Sequence, residues 1–181
     1  MHPDIESILL SEADLRVRVA EMGKAIARDY ADAEGGLVVV SVLRGAAIFM
    51  ADLVREIELP LEMDFIAVSS YGNDVKSSGV VTFQKDVTCD IRGKHVIIAE
   101  DIIDSGLTLS LTIKHLEELG PASGQVTSLL WKECEKKAEI DARYIGFNIP
   151  DAFVVGYGLD YAERYRNLPY LGILKPEVYA K

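Results

Sequence analysis

The chain has 181 residues with a formal net charge of −10, and 49% of its residues are hydrophobic. A chain of this length suits one domain that buries its core without disulfides or a structural metal. The acidic balance argues against a nucleic-acid-binding protein but leaves room for an anionic ligand in a locally positive pocket. Two cysteines, Cys89 and Cys134, are too few for a disulfide framework or a zinc site, and no signal peptide or membrane span is visible. We therefore expect a cytoplasmic protein that binds neither nucleic acid nor membrane.

Strand-like and helix-like segments alternate along most of the chain. Apolar residues at helical spacing predict a helix over about residues 12–33, and the glycines that follow end it. In chain order, the further predicted elements are a buried strand (37–43), a helix (44–57), a strand (61–71), a mobile loop rich in glycine and serine (72–79), two strands (80–87 and 95–102), a helix (107–119), a strand (125–132) and three short strands (142–150, 152–160 and 170–174).

This order of elements predicts an α/β fold with a doubly wound, mainly parallel sheet flanked by helices. The short late strands predict a small cap on that core. We expect a single domain over residues 1–181, with its core at about residues 10–150. The cap would come from the C-terminal part of the chain and the N-terminal residues.

The segment VIIAEDIIDSGLTLS, residues 96–110, ends a predicted buried strand with three carboxylates, Glu100, Asp101 and Asp104. Small and hydroxyl residues follow, and a helix is predicted to begin there. Ligands of open α/β sheets bind beyond the carboxyl ends of strands, and a helix N-terminus offers unpaired N–H groups to a phosphate. The preceding carboxylates would accept hydrogen bonds from sugar hydroxyls or hold Mg²⁺. The order of the two halves indicates a sugar phosphate.

Simpler interpretations of this segment stay open. Asp104 and Ser105 could only cap the helix, while Glu100 and Asp101 could be a solvated strand end. A phospho-receiver domain also has strand-end carboxylates and a strand-end lysine, here Lys132, but its acidic cluster closes the first strand. Two nucleotide-binding patterns fail, because RGKHV lacks the flanking residues of a P-loop and VVGYGLDY has a tyrosine where a dinucleotide fingerprint needs its third glycine.

The same segment resembles the phosphoribosyl pyrophosphate motif of the type I phosphoribosyltransferases. Three further segments resemble the hypoxanthine (hypoxanthine-guanine) branch of that family, in the family's order: VSVLRGAAIFMADL, SSYGND and NIPDAFVVGYGLDYAERYRNLPYLGIL. The resemblance implies the fold of that family. It also implies a purine-salvage reaction that transfers phosphoribosyl from 5-phosphoribosyl 1-pyrophosphate to N9 of a 6-oxopurine, with Mg²⁺ as cofactor. Hypoxanthine would give IMP, guanine would give GMP, and pyrophosphate would be released.

The resemblance assigns roles on the sugar side of this site. Glu100 and Asp101 resemble the pair that binds the ribose hydroxyls, partly through Mg²⁺, and Asp104 resembles the general acid/base beside purine N7. Some relatives carry lysine at the position of Leu107, a change that a loop binding through backbone N–H groups tolerates. The residues that match the 5′-phosphate loop are Ser105, Gly106, Leu107 and Thr108.

The pyrophosphate side is matched by two segments far apart in the chain. Leu43, Arg44 and Gly45 resemble the pyrophosphate loop, in which the peptide before the residue matching Arg44 is often cis. Arg166 resembles a further pyrophosphate contact, and Asp160 resembles a second Mg²⁺ contact. Taken without the other motifs, the sequence LRG is typical of an ordinary strand-to-helix turn.

On the base side, Lys132 resembles the lysine that bonds purine O6 and so discriminates 6-oxo from 6-amino bases. Phe153 resembles the aromatic residue that stacks on the purine, and Val154 resembles the residue whose backbone reads the base edge. Taken alone, Lys132 would be a solvated strand end, and the other two would be core. Ser70 and Tyr71 resemble the Ser-Tyr pair of a loop that closes over the active site and excludes water.

Two alternatives to a purine-salvage enzyme that acts on hypoxanthine, and on guanine as well, stay open. One is a non-catalytic regulator on the same fold that senses phosphoribosyl pyrophosphate. The other is an enzyme that prefers guanine or xanthine, since contacts to the purine C2 substituent come largely from backbone near Val154 and Asp160. The family commonly forms dimers or tetramers, so we expect a homo-oligomer.

Overall fold

The computed structural model describes residues 1–70 and 81–180, apart from the side chains at positions 69, 70 and 81. The described part contains nine strands and four helices. In chain order they are β1 (Ile5–Leu10), α1 (Glu12–Asp29), β2 (Leu37–Leu43), α2 (Ala47–Arg55), β3 (Leu61–Ser70), β4 (Val81–Lys85), β5 (His95–Ile103), α3 (Leu107–Glu118), β6 (Ser123–Lys132), β7 (Ala142–Ile149), β8 (Val154–Val155), β9 (Leu171–Leu174) and α4 (Pro176–Tyr179).

Six strands form the main sheet in the order β4-β3-β2-β5-β6-β7. All neighbours are parallel except the edge strand β4, which pairs antiparallel with β3. Alternate residues of β2 face opposite sides: Val39 packs in one core with residues of α1 and α2, and Val38 packs in a second core with residues of α3. Helices therefore cover both faces, and the predicted doubly wound, mainly parallel sheet is confirmed.

A second sheet of three strands, in the order β1-β9-β8, forms a separate small layer. Its core contains Ile5, Val155, Tyr165 and Leu174, all of them buried. Strand β1 and helix α4 had no counterpart among the predicted elements. No helix in the part of the chain that the structure describes is both long and apolar enough to cross a membrane.

The predicted bounds of three elements differ from those in the structure. Helix α1 ends at Asp29, with Tyr30 as its C-cap, four residues before the predicted end. Helix α2 starts only at Ala47, because the residues before it form a turn. The strand predicted over 152–160 is reduced to Val154–Val155, since the next three residues have positive φ values that extended strands exclude. The predicted loop over 72–79 lies outside the described residues.

Candidate functional site

Three neighbouring parallel strands, β2, β5 and β6, have their carboxyl ends on the same side of the main sheet. Strand β2 pairs with β5 through Ser41 and Ala99, and β5 pairs with β6 through Ile103 and Trp131. The residues that follow these pairs are therefore brought together, although they are far apart in sequence. They are Leu43 to Gly45 at the end of β2, Glu100 to Thr108 at the end of β5, and Lys132 at the end of β6.

The carboxylates of Glu100 and Asp101 lie in a buried environment. The Oε2 atom of Glu100 is buried and has no hydrogen-bond partner among the described residues. Burial and then the neighbouring charge of Asp101 raise the pKa of Glu100 well above its usual range. Burial likewise raises the pKa of Asp101 to about 6, although the Ile102 N–H and the Arg166 charge oppose the shift. Such a pair favours a cation or hydroxyl donors as its partner.

The turn after β2 packs directly against this pair. The Leu43–Arg44 peptide is cis, as the family resemblance implies. A Cβ atom placed on Gly45 would lie 1.7 Å from the Asp101 Oδ2 atom, and one placed on Gly158 would lie 2.0 Å from the Gly45 carbonyl oxygen. Only glycine fits at Gly45 and Gly158, so these two segments and Asp101 form one closely packed wall.

A cavity of about 180 Å³ lies at the N-terminus of α3, and it is lined by Glu100 and residues 102–109. The helix starts at Leu107 after Gly106, which has a φ of 80° and provides no side-chain cap. The first-turn N–H groups of α3 are thus available to an anion, and the interpretation of Asp104 or Ser105 as the helix cap was wrong. The Ser105 carbonyl oxygen accepts hydrogen bonds from the Lys137 and Ala138 N–H groups, which hold the loop from outside the cavity.

Lys132 and Asp104 meet beside this cavity. The Lys132 Nζ atom lies 3.7 Å from Asp104 Oδ2 and 2.8 Å from Asp151 Oδ1, and 16% of its side chain is exposed. Burial opposes the charged amine, but the Asp151 hydrogen bond and the two carboxylate charges outweigh it and raise the pKa of Lys132. The Cys134 thiol donates to Asp104 Oδ1 at 3.0 Å. The sequence pattern gave no signal for Asp151 or Cys134, because both lie in turns.

The two arginines of the predicted pyrophosphate side share one carboxylate. Glu163 Oε2 accepts from Arg44 Nη1 at 2.8 Å and from Arg166 Nη2 at 3.4 Å. Arg166 also pairs with Asp160 Oδ1 at 2.8 Å and donates to the Gly158 carbonyl oxygen. The second oxygen of Asp160 accepts from the Glu163 N–H. Glu163 was missed because its link to Arg44 spans 119 positions.

Phe153, the aromatic residue of the predicted base side, packs against two tyrosine rings. The Phe153 ring stacks on Tyr179 with a centroid distance of 4.8 Å and meets the edge of Tyr161 at 5.6 Å. Val154 is buried and pairs with Ile173 in the small sheet. Ser70 ends β3, where its side chain is outside the description, and Tyr71 lies outside the described residues.

The carboxylates at this edge of the sheet fit a divalent cation in part. Among residues 1–70 and 81–180, no group of three or more His, Cys, Asp or Glu side chains is arranged to hold a metal ion by itself. The buried, unpartnered Oε2 atom of Glu100 beside Asp101 nevertheless fits Mg²⁺, which proteins hold through one or two carboxylates while substrate phosphates supply further oxygens. Asp160 fits less well, since both of its oxygens are engaged.

Comparisons with known proteins agree with the family resemblance of the sequence motifs. Residues 13–162 match the model of the phosphoribosyl transferase domain. The chain is 50% identical to the hypoxanthine-guanine phosphoribosyltransferase of Bacillus subtilis (strain 168), over 99% of this chain and 98% of that protein. It is also 50% identical to the enzyme of the same name from Mycobacterium avium, over 97% of this chain and 89% of that protein.

Solved structures agree in fold over nearly the whole chain. A hypoxanthine phosphoribosyltransferase from Staphylococcus aureus is 45% identical, with a TM-score of 0.94 over 100% of this chain and 97% of that one. A hypoxanthine phosphoribosyl transferase from Trypanosoma cruzi is 41% identical, with a TM-score of 0.94 over 99% of this chain and 96% of that one. The chain therefore belongs to the phosphoribosyl transferase family, and its relatives of about 50% identity are hypoxanthine-guanine phosphoribosyltransferases.

Proposed function

We propose that this protein is a purine-salvage enzyme that joins a phosphoribosyl group to N9 of hypoxanthine or guanine. The observation that carries the proposal is the meeting of three features at adjacent strand ends. They are the buried pair Glu100–Asp101, the cavity at the start of α3, and Lys132 beside Asp104. These features match the ribose, the 5′-phosphate and the base of a nucleoside monophosphate.

At the sugar end, the 5′-phosphate would occupy the cavity lined by Ser105, Gly106, Leu107 and Thr108. The first-turn N–H groups of α3 would hold it through hydrogen bonds and the positive end of the helix dipole. Glu100 and Asp101 would accept hydrogen bonds from the ribose hydroxyls. Their negative charge would also stabilise the ribose C1 as it gains cationic character.

At the base end, Lys132 would donate to purine O6, while Phe153 stacks on the ring and the Val154 backbone reads the ring edge. As N9 attacks C1 and the bond from C1 to pyrophosphate breaks, the purine must lose a proton. Asp104 would accept that proton from N7, as a general base positioned by Lys132 and Cys134. A base with an amino group at C6 would instead turn an N–H donor toward the Lys132 ammonium, which is itself a donor, so this contact disfavours 6-aminopurines.

At the pyrophosphate end, Arg44 and Arg166 would bind the leaving group together with the backbone of Leu43 and Gly45. Both guanidinium groups now contact Glu163, so the incoming pyrophosphate would replace that carboxylate. Mg²⁺ held by Glu100 and Asp101, with Asp160 nearby, would neutralise the charge of the leaving group. Ser70 and Tyr71 would begin the loop that closes over the site and excludes water.

Further aspects of the protein belong to the same proposal. We propose one domain over residues 1–181, in which the small sheet caps the core, and a cytoplasmic homo-oligomer, either a dimer or a tetramer. The Trypanosoma cruzi relative was studied for the role of its C-terminal region on the oligomeric state. Light scattering of the purified chain should give a mass of at least two copies, and a monomer would contradict this part.

The decisive experiment supplies the purified chain with 5-phosphoribosyl 1-pyrophosphate, Mg²⁺ and hypoxanthine, guanine or xanthine in parallel. Formation of IMP or GMP with release of pyrophosphate is expected, and the ratio of the three kcat/KM values gives the base preference. If no 6-oxopurine is converted, the proposed function is wrong. Binding of the sugar pyrophosphate without turnover would favour the non-catalytic regulator.

A further inference from the structure

Lys136 lies outside every motif described above, yet its amine contacts four groups at the base end of the site. Its Nζ atom donates to the carbonyl oxygens of Ile103 at 3.2 Å and Lys132 at 2.5 Å. The same atom lies 4.7 Å from the centre of the Trp131 ring and 3.6 Å from Cys134 Sγ. Among the described residues it has no carboxylate within ion-pair distance, so its contacts are with backbone oxygens, an aromatic face and a thiol.

The two carbonyl groups belong to the last residues of adjacent strands. Ile103 ends β5 and directly precedes Asp104, while Lys132 ends β6. The ladder between β5 and β6 has its last pair at Ile103 and Trp131, so no β5–β6 pair joins Asp104 to Lys132, although Lys132 still pairs with Ile149 of β7. One ammonium group with three donors joins the two strand ends at this point, which limits how far Asp104 and Lys132 can move apart.

Cys134 connects the same amine to the carboxylate side chain. Its thiol donates to Asp104 Oδ1 at 3.0 Å and lies beside the Lys136 amine. The hydrogen bond to Asp104, followed by burial, raises the pKa of Cys134, so the thiol keeps the proton that it donates. Lys136 thereby contacts the backbone of Lys132 directly and the side chain of Asp104 through one thiol.

We propose that Lys136 is a positioning residue that fixes Asp104 relative to Lys132 and so sets the geometry in which the purine base is bound. This inference rests on the proposed function. Ile103 also lines the cavity at the start of α3, but the other three contacts lie at or just after the end of β6, so loss of the amine should affect the base more than the sugar pyrophosphate. A displacement of about 1 Å at a reacting group can cost as much as a hundredfold in rate.

The test compares three variants in steady-state kinetics. Lys136→Met keeps the length of the side chain and removes its donors, and we expect about a tenfold rise in the KM for hypoxanthine with a lower kcat. The KM for 5-phosphoribosyl 1-pyrophosphate should change by less than about twofold. Lys136→Arg, which retains the charge and several donors, should restore most of the activity. Lys24→Met is the control, because that lysine is exposed on α1, which supplies no residue of the proposed site, and it should behave as the unaltered protein.

If Lys136→Met does not fold, as judged by its thermal unfolding, substitutions of Cys134 test the same set of contacts. Cys134→Ala removes the donor to Asp104 and should raise the KM for hypoxanthine, whereas Cys134→Ser keeps a donor and should not. An active protein whose Lys136→Met variant has unchanged kinetics, or equal rises in both KM values, would overturn the inference. Failure of the Lys136→Arg variant to retain most of the activity would also overturn the inference. An unaltered protein without any turnover would instead overturn the proposed function.

Discussion

The backbone of Gly45 is in contact with the carboxylate of Asp101, and this contact decides how closely the turn after β2 approaches the strand end that carries Glu100 and Asp101. An added Cβ atom would overlap the Asp101 Oδ2 atom at 1.7 Å. Since Asp101 is buried beside Glu100, its carboxylate has little space into which to move. The position of a side chain proposed to bind the ribose thus depends on the absence of a side chain at Gly45, in the turn after β2.

Gly45→Ala should therefore displace Asp101 and lower kcat/KM by about a hundredfold, as expected for a reacting geometry disturbed by about 1 Å. Gly124→Ala is the control, because a Cβ atom at that position meets no atom within 4 Å. Steady-state kinetics of both variants, together with circular dichroism to confirm folding, provide the measurement. A Gly45→Ala variant with full activity would show that the turn can move without consequence.

Asp104→Asn tests the proposed proton acceptor. The amide keeps the size of the side chain but cannot accept the proton, so kcat should fall by at least about a hundredfold. The Kd for 5-phosphoribosyl 1-pyrophosphate should change by less than about threefold, because that substrate does not use the proton acceptor. Calorimetric titration and single-turnover kinetics measure the two effects. Equal losses in rate and in affinity would remove Asp104 from the acid/base role.

At the scale of elements, Asp64 connects β3 to the segment after β4. Its oxygens accept from Lys85 Nζ, from the Phe65 N–H and from the N–H groups of Thr88 and Cys89. Burial alone would raise the pKa of Asp64, but the Cys89, Lys85, Thr88 and Phe65 hydrogen bonds outweigh it and hold the pKa well below the usual range. The edge strand is thus fastened by a buried carboxylate as well as by its ladder.

Asp64→Asn should lower the free energy of unfolding at pH 7 by about 2 kcal/mol, since an amide nitrogen in place of one buried oxygen would leave N–H donors without an acceptor. The folded-state pKa lies below the unfolded value of about 4, so the contribution is fully present above pH 4 and is lost as the pH falls through the folded-state pKa. Urea unfolding at pH 7 and at lower pH should show a shrinking difference. Glu62→Gln, an exposed partner of Lys94, is the control and should cost less than about 1 kcal/mol.

The elements with a marked apolar pattern were predicted, although some of their bounds were shifted, whereas β1 and α4 were missed. Strand β2 has a continuous β-branched run that only a strand buried on both faces accommodates. The segment around Gly156, Tyr157 and Gly158 has strand-like composition but positive φ values. Gly158 of this segment packs against Gly45, which lies more than a hundred positions earlier, and local patterns do not contain such a contact.

At the scale of the whole molecule, the N-terminus and the C-terminal region form one sheet. Strand β1 pairs with β9, and Ile5, which is 1% exposed, packs against Gly172. Tyr165 donates its hydroxyl to Asp4 at 2.6 Å across 161 positions. This sheet also carries Val154 of β8, so the stability of the N-terminal strand is connected to the proposed base site.

Ile5→Ala should lower the free energy of unfolding by about 3 kcal/mol through the cavity that it leaves. It should also raise the KM for the base, because β8 is paired to the same sheet. Ile8→Ala on the same strand is the control, since Ile8 is 46% exposed, and it should cost less than about 1 kcal/mol. Urea unfolding gives the free energy of unfolding of the two variants, and steady-state kinetics give their KM for the base. Equal effects of both substitutions would contradict this account.

The sequence by itself determined the alternation of elements, the doubly wound sheet and the strand end from Glu100 to Thr108. These features follow from local period and composition, which are read within a window of ten to twenty residues. The family resemblance also predicted binding roles for Arg44, Lys132 and Arg166, but it did not predict which residues contact them.

Only the tertiary structure decided which groups meet. The packing of Gly45 on Asp101, the position of Glu163 between Arg44 and Arg166, and the contacts of Lys136 with two strand ends each join segments that sequence separation conceals. The physical reason is that parallel strands bring their carboxyl ends to one edge of a sheet whatever the length of chain between them. Burial, charge and hydrogen bonding at that edge then depend on neighbours in space, which no local pattern encodes.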